Sequence, residues 1–200
     1  MVEVNPRSGS CLSPISGSQA RLQLVLGPAR SGKSRWAEHL AAQSERDVVY
    51  VATGPQLPAD EAWQQRIQRH RLRRPAQWSS VELEKPGQLG PLLRGLTGTQ
   101  LALVDSLGSW VARSLELDDR RWQKRCDALL GVVARCSGAL VIVSEQTGWG
   151  VVPPTAIGGL FRDRLGSLER RLVCVADTAW LVVAGRAVNL REIGIPVPPD

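Results

Sequence analysis

Short apolar runs punctuate the chain. Leu22 to Leu26, Val48 to Thr53, Leu101 to Asp105 and Ala139 to Val143 are each five or six residues long and nearly without polar alternation. Runs of that kind predict strands buried on both faces of a parallel sheet. Between them the pattern turns helical. Helices are predicted at Arg35–Ala42, 60–72, Pro86–Leu93, Leu107–Leu115 and Trp122–Cys136, with Asp118-Asp119 as an N-cap region. The strongest helix runs from Thr155 to Val175, with Pro154 at or just before its first turn. Ile157, Leu160, Phe161, Leu165, Leu168, Leu172 and Val175 form one apolar stripe, while Arg162, Asp163, Glu169 and Arg170 lie off it. Trp78 to Leu83 reads as a further short strand. Trp180–Ala184, Gly185-Arg186 and Ala187–Leu190 read as a hairpin at one edge. Strand, helix, strand in alternation gives an α/β fold: three layers around a mostly parallel sheet, closed by an antiparallel C-terminal edge hairpin.

Chemistry enters after the first run. Gly27-Pro28-Ala29-Arg30-Ser31-Gly32-Lys33-Ser34 fits G-x-x-x-x-G-K-[ST], between a predicted strand and a predicted helix. That context distinguishes a phosphate-binding loop from a chance glycine turn and points to a P-loop NTPase; the expected fold is the RecA-like one. Backbone N–H groups bent inward by Gly27 and Gly32, with the helix N-terminus, suit phosphate oxygens. Lys33 would reach the β- and γ-phosphates, and Ser34 would bind Mg²⁺. Asp105, closing an apolar strand, has the form of a Walker-B carboxylate and would share that ion.

Composition narrows the setting without deciding the reaction. At 200 residues and 43% apolar, the chain can build one full core, expected over residues 21–192. Residues 1–20, rich in Ser, Gly and Pro, read as a disordered leader, and residues 193–200 as a loose tail. No run approaches a membrane span, and no secretory signal is evident at the start. Cys11, Cys126, Cys136 and Cys174 lack metal-ligand spacing and read as buried thiols in a reducing cytoplasm. A net charge of +6 suits nucleic acid or triphosphates alike.

Five arginines stand between positions 66 and 74, around His70. Trp63, Ile67 and His70 share one face of the predicted helix. A solvated basic helix and a helix presenting a reactive histidine are equally compatible with that pattern. Downstream, Ser144 to Pro154 is a glycine-containing loop after a strand end, where open α/β sheets bind ligands.

Taken together, G-P-A-R-S-G-K-S, V-Y-V-A-T, R-I-Q-R-H-R-L-R-R-P-A-Q-W, L-V-D-S-L, G-W-G-V-V-P, F-R-D-R-L-G and A-D-T-A-W-L-V-V-A-G occur in one order. In this the chain resembles the bifunctional adenosylcobinamide kinase / adenosylcobinamide-phosphate guanylyltransferase family of cobalamin assembly, over residues 21–190. The resemblance implies two reactions. A nucleoside triphosphate, ATP or GTP, phosphorylates adenosylcobinamide. GTP then transfers GMP to adenosylcobinamide phosphate through a guanylyl-histidine, giving adenosylcobinamide-GDP and pyrophosphate. His70 stands at the matching histidine, whereas His39 matches no motif. The resemblance also sets Glu82 beside Asp105 among the nucleotide-contacting residues, and implies a homo-oligomer, a trimer where described. The family's Asn-Glu-Val-Gly is here Glu145-Gln146-Thr147-Gly148, a departure that bears on the kinase half. The competing expectations are a small-molecule kinase without guanylyl transfer, a nucleotide-sensing regulator, and a RecA-like ATPase on nucleic acid. The last lacks the basic stripe interleaved with aromatics that single strands require.

Overall fold

The computed structural model describes residues 20–55, 57, 59–150 and 154–198, and leaves the side chains of Ala62, Trp63 and Arg66 undescribed. The expected leader, apart from Ala20, and Val151-Val152-Pro153 of the glycine loop lie outside the described residues.

Among the described residues seven strands form one sheet: β1 (Leu22–Gly27), β2 (Asp47–Ala52), β3 (Ser79–Glu82), β4 (Gln100–Asp105), β5 (Ala139–Glu145), β6 (Thr178–Val183) and β7 (Arg186–Asn189). Their order is β3-β2-β4-β5-β1-β6-β7. All pairs are parallel except β6 with β7. The helices are α1 (Lys33–Ala42), α2 (Glu61–Arg73), α3 (Leu89–Arg94, after a 3₁₀ turn at Pro86–Gln88), α4 (Leu107–Ala112), α5 (Asp119–Arg135), α6 (Ala156–Val175) and α7 (Leu190–Ile193). This is the expected three-layer, RecA-like P-loop architecture. None of the helices among the described residues is long and apolar enough to cross a membrane.

Strand side chains alternate between the two faces, which splits the core in two. Leu24, Val51, Val104 and Ile142 face Trp110, Trp122, Val133, Leu165 and Leu172. Val25, Tyr50, Leu103, Val143 and Trp180 face Ala37, Leu40 and Ala41 of α1. Caps fix where helices begin. Ser106, Asp118 and Thr155 accept the backbone N–H three residues on at α4, α5 and α6. Arg164 of α6 binds the turn before α5, donating to the carbonyls of Ser114, Leu115 and Leu117 and to Asp119.

Four details differ from the sequence pattern. Ile157 and Val175, at the ends of the α6 stripe, are 61% and 42% exposed, because α6 outruns the sheet it packs on. Glu169, off that stripe, is buried, since Gln146 from the end of β5 meets it. The hairpin turns at Ala184-Gly185, one residue earlier than expected, where both residues have positive φ. Cys126 and Cys136 are buried, but Cys174, near the C-terminal end of α6, is exposed.

Candidate active site

The phosphate loop links β1 to α1 at the carboxyl edge of the parallel strands. Gly27 has no room for a side chain: a Cβ there would collide with the Val182 carbonyl and lie 2.7 Å from Ser31 Oγ. Gly32 takes φ +99°, a conformation that glycine adopts without strain, and its carbonyl receives the Trp36 N–H of the first turn of α1. The loop is also tied to the far edge of the sheet, since Gly185 N–H donates to the Ser31 carbonyl. Lys33 is buried, 7% exposed, and its Nζ donates to the Pro28 carbonyl at 3.3 Å. The first turn of α1 contains no acid, so the helix end is suited to an anion.

A cavity opens beside this loop, over the ends of β2, β4 and β5. It is lined among others by His70, Arg71, Arg74, Glu82, Asp105 and Glu145. Asp105 anchors it. Tyr50 Oη donates to Asp105 Oδ2 at 2.7 Å, and His70 Nδ1 stands 3.8 Å from the same oxygen. Burial, followed by the Asp105 charge, pushes the Tyr50 hydroxyl far above its ordinary range, so it remains a donor. Asp105 Oδ1 and Ser34 Oγ make no hydrogen bond among the described residues. A hydroxyl and a carboxylate are hard oxygen donors, the ligand chemistry that Mg²⁺ takes, with phosphate and water filling the rest of its shell. No cluster of three or more His, Cys, Asp or Glu able to hold a metal occurs among the described residues.

The arginines around His70 do different things. Arg71 pairs with Glu82 at the end of β3. Arg73 reaches Glu38 of α1 at 3.1 Å and His70 Nδ1 at 3.3 Å. Arg74 lies 3.3 Å above the Tyr50 ring. Arg71 and Arg74 line the cavity, and Arg73 pins α2 to α1. His39 lies against the Trp36 ring, 5.2 Å between centroids, away from the cavity.

The structure therefore gathers His70, Glu82 and Asp105 around one cavity, whereas Gly27 to Ser34 do not line it and meet it through Gly27, in register with the cavity residue Glu145. Residue spacing alone did not single out Tyr50, Arg74 or Glu145. Tyr50 sits inside an apolar run and reads as core, and only the strand register brings its hydroxyl to Asp105.

Comparison with known proteins decides the family. The model of the cobinamide kinase / cobinamide phosphate guanyltransferase family matches residues 23–190. The chain belongs to this family. A bifunctional adenosylcobalamin biosynthesis protein, CobP, of Pseudomonas aeruginosa is 39% identical over 88% of this chain and 95% of its own. The corresponding protein CobU of Salmonella typhimurium is 34% identical, over 84% of this chain and 98% of its own. Among solved structures, the flagellar accessory protein FlaH of Methanocaldococcus jannaschii aligns with a TM-score of 0.46 at 16% identity, over 84% of this chain and 75% of that one. In this member of the cobinamide kinase / guanyltransferase family, β5 ends in Glu145, followed by Gln146. Glu145 enters the cavity, and Gln146 turns to α6 and donates to Glu169 Oε2 at 2.9 Å.

Proposed function

We propose that this protein phosphorylates the aminopropanol hydroxyl of adenosylcobinamide with a nucleoside triphosphate. It then transfers GMP from GTP to adenosylcobinamide phosphate through a guanylylated His70, giving adenosylcobinamide-GDP and pyrophosphate. The observation that carries this reading is the cavity itself: a histidine faces the strand-end carboxylate Asp105, and Glu145 of the same cavity stands in register with Gly27, the first residue of the phosphate loop.

In this mechanism Lys33 and the N–H groups of Gly27 to Ser34 hold the triphosphate. Ser34 and Asp105 would ligate Mg²⁺, which supplies neutralising charge on the phosphate oxygens when bound. His70 Nδ1 takes the proton only once it turns from the Arg73 guanidinium, which can only donate to it, to Asp105; Nε2 is then the nucleophile. As the Nε2–Pα bond forms, the Pα–O bond to pyrophosphate breaks. The phosphate of the acceptor then attacks Pα and releases His70. Arg71 and Arg74 stabilise charge building on the phosphates, and Glu82 contacts the nucleotide. A homo-oligomer, a trimer as the resemblance implies, and a cytoplasmic location belong to the same proposal.

Incubation with Mg²⁺ and GTP labelled on the α-phosphate tests it, beside a His70→Ala variant. Acid-labile, base-stable label on the parent and none on the variant is the expected outcome. Absence of label on the parent would overturn the histidine mechanism.

A further inference from the structure

The cavity holds a carboxylate that the steps above leave without a task. Glu145 ends β5, the strand between the phosphate-loop strand and the Asp105 strand, and stands in register with Gly27. Its Oε2 accepts the Gly108 N–H at 3.0 Å. A Cβ at position 108 would run into that carboxylate, and the glycine in the first turn of α4 leaves it space. Glu145 lines the cavity with Asp105, Ser106 and Ser109, within the electrostatic reach of Lys33. Burial pushes its carboxyl above the ordinary range, an effect that Ser106 and Lys33 oppose. Gln146 points to α6 instead, so at this strand end the cavity receives Glu145.

The two half-reactions differ in what they ask of such a group. A hydroxyl acceptor must lose its proton as it is phosphorylated. Neither the attack of His70 on GTP nor the attack of an ionised phosphate on the guanylyl group has a proton to remove. A base in the cavity therefore serves one half only.

We propose that Glu145 is a catalytic residue of the phosphoryl-transfer half, hydrogen-bonded to the acceptor hydroxyl and accepting its proton. The hydroxyl O–H bond breaks and its proton passes to a Glu145 oxygen. The O–Pγ bond forms, the bond from Pγ to the β-phosphate oxygen breaks, and its electron pair stays on the departing nucleoside diphosphate. The proton later returns to solvent. The inference rests on the bifunctional reading and assigns a residue within it.

The test uses the full chain, γ-labelled ATP with adenosylcobinamide for one half, and His70 labelling by α-labelled GTP for the other. Glu145→Gln keeps the shape and an acceptor for Gly108 but removes the base. Phosphoryl transfer is expected to fall about 100-fold, with His70 labelling reduced no more than about threefold. Glu145→Asp, which keeps a carboxylate, is expected to retain more phosphoryl transfer than Glu145→Gln. Gly108→Ala, which displaces the carboxylate, is expected to reproduce the split. Phosphoryl transfer by Glu145→Gln within about threefold of the parent would overturn the assignment. So would equal loss of both activities, which would place Glu145 in triphosphate binding or in the fold. A parent that labels at His70 but phosphorylates no corrinoid would instead overturn the kinase half of the underlying reading, and the assignment with it.

Discussion

At Gly27 a single hydrogen separates a working loop from a collision with the Val182 carbonyl. The obstacle is backbone of the neighbouring strand β6, which cannot swing away as a long side chain would. Gly27→Ala is therefore expected to cost about 1–3 kcal/mol of stability, the usual range for overpacking, and to abolish retention of GTP at concentrations that saturate the parent. Chemical denaturation and equilibrium dialysis read the two effects separately. The need for glycine here was legible from the G-x-x-x-x-G-K-S spacing, because the motif implies the bent backbone. Its second reason, the close approach of β6, was not, since residues 27 and 182 meet only after the chain has closed on itself. His70 shows the same division. Helical spacing put it on one face with Ile67, but its position 3.8 Å from Asp105 depends on how α2 lies over β2 and β4.

At the scale of elements, the end of β5 and the middle of α6 share a buried carboxyl. Glu169 is 7% exposed, and its Oε1 is sealed from solvent without a hydrogen-bond partner among the described residues. Burial pushes this carboxyl up to about 7, from an ordinary 4.5, and the nearby Glu145 charge adds to the rise. Between those two values the folded protein keeps a proton that the unfolded chain has released, so stability falls as pH rises through that window. Below it both states are protonated and nothing is lost. Above it the loss is complete, about 3 kcal/mol. Glu169→Gln stays neutral throughout and still offers an acceptor to Gln146. It is expected to be the more stable protein at pH 8, with the difference vanishing toward pH 4.5. Urea midpoints of both proteins across that range check it, and a constant offset would contradict it. The apolar stripe of α6 was plain in the sequence because helical periodicity is a local signal. The burial of Glu169 was not, because its cause arrives from position 146. Arg164, sunk into the turn before α5 through four acceptors, was hidden for the same reason.

For the molecule as a whole, the apolar runs announced the strands, and the alternation with helices announced a parallel sheet. The order of strands was not written locally. Nothing near Leu22 says that β5 and β6 will flank it rather than β2. The two-sided core gives a way to watch the whole fold open. Cys126 and Cys136 are inside, with burial pushing the Cys126 thiol up to about 11, whereas Cys174 is exposed. A thiol reagent followed by peptide mass spectrometry is expected to modify Cys174 within the dead time of folded-state mixing. Cys126 and Cys136 are expected to react at a shared, far slower rate that rises with denaturant, as global opening requires. Fast reaction of either buried thiol in native buffer would contradict a single cooperative core.

The placement of β1 also governs how the protein comes into being on the ribosome. Of the described strands β1 emerges first, yet its hydrogen-bonded neighbours are β5 and β6, which begin at residues 139 and 178. β2, β3 and β4 find one another much earlier. At the usual pace of translation the nascent phosphate loop waits on the order of ten seconds for its flanking strands. Its tie from Gly185 arrives later still. A growing chain thus carries a nucleotide-binding sequence without a nucleotide-binding site, and triphosphate has no firm hold until the hairpin near the C-terminus has been made.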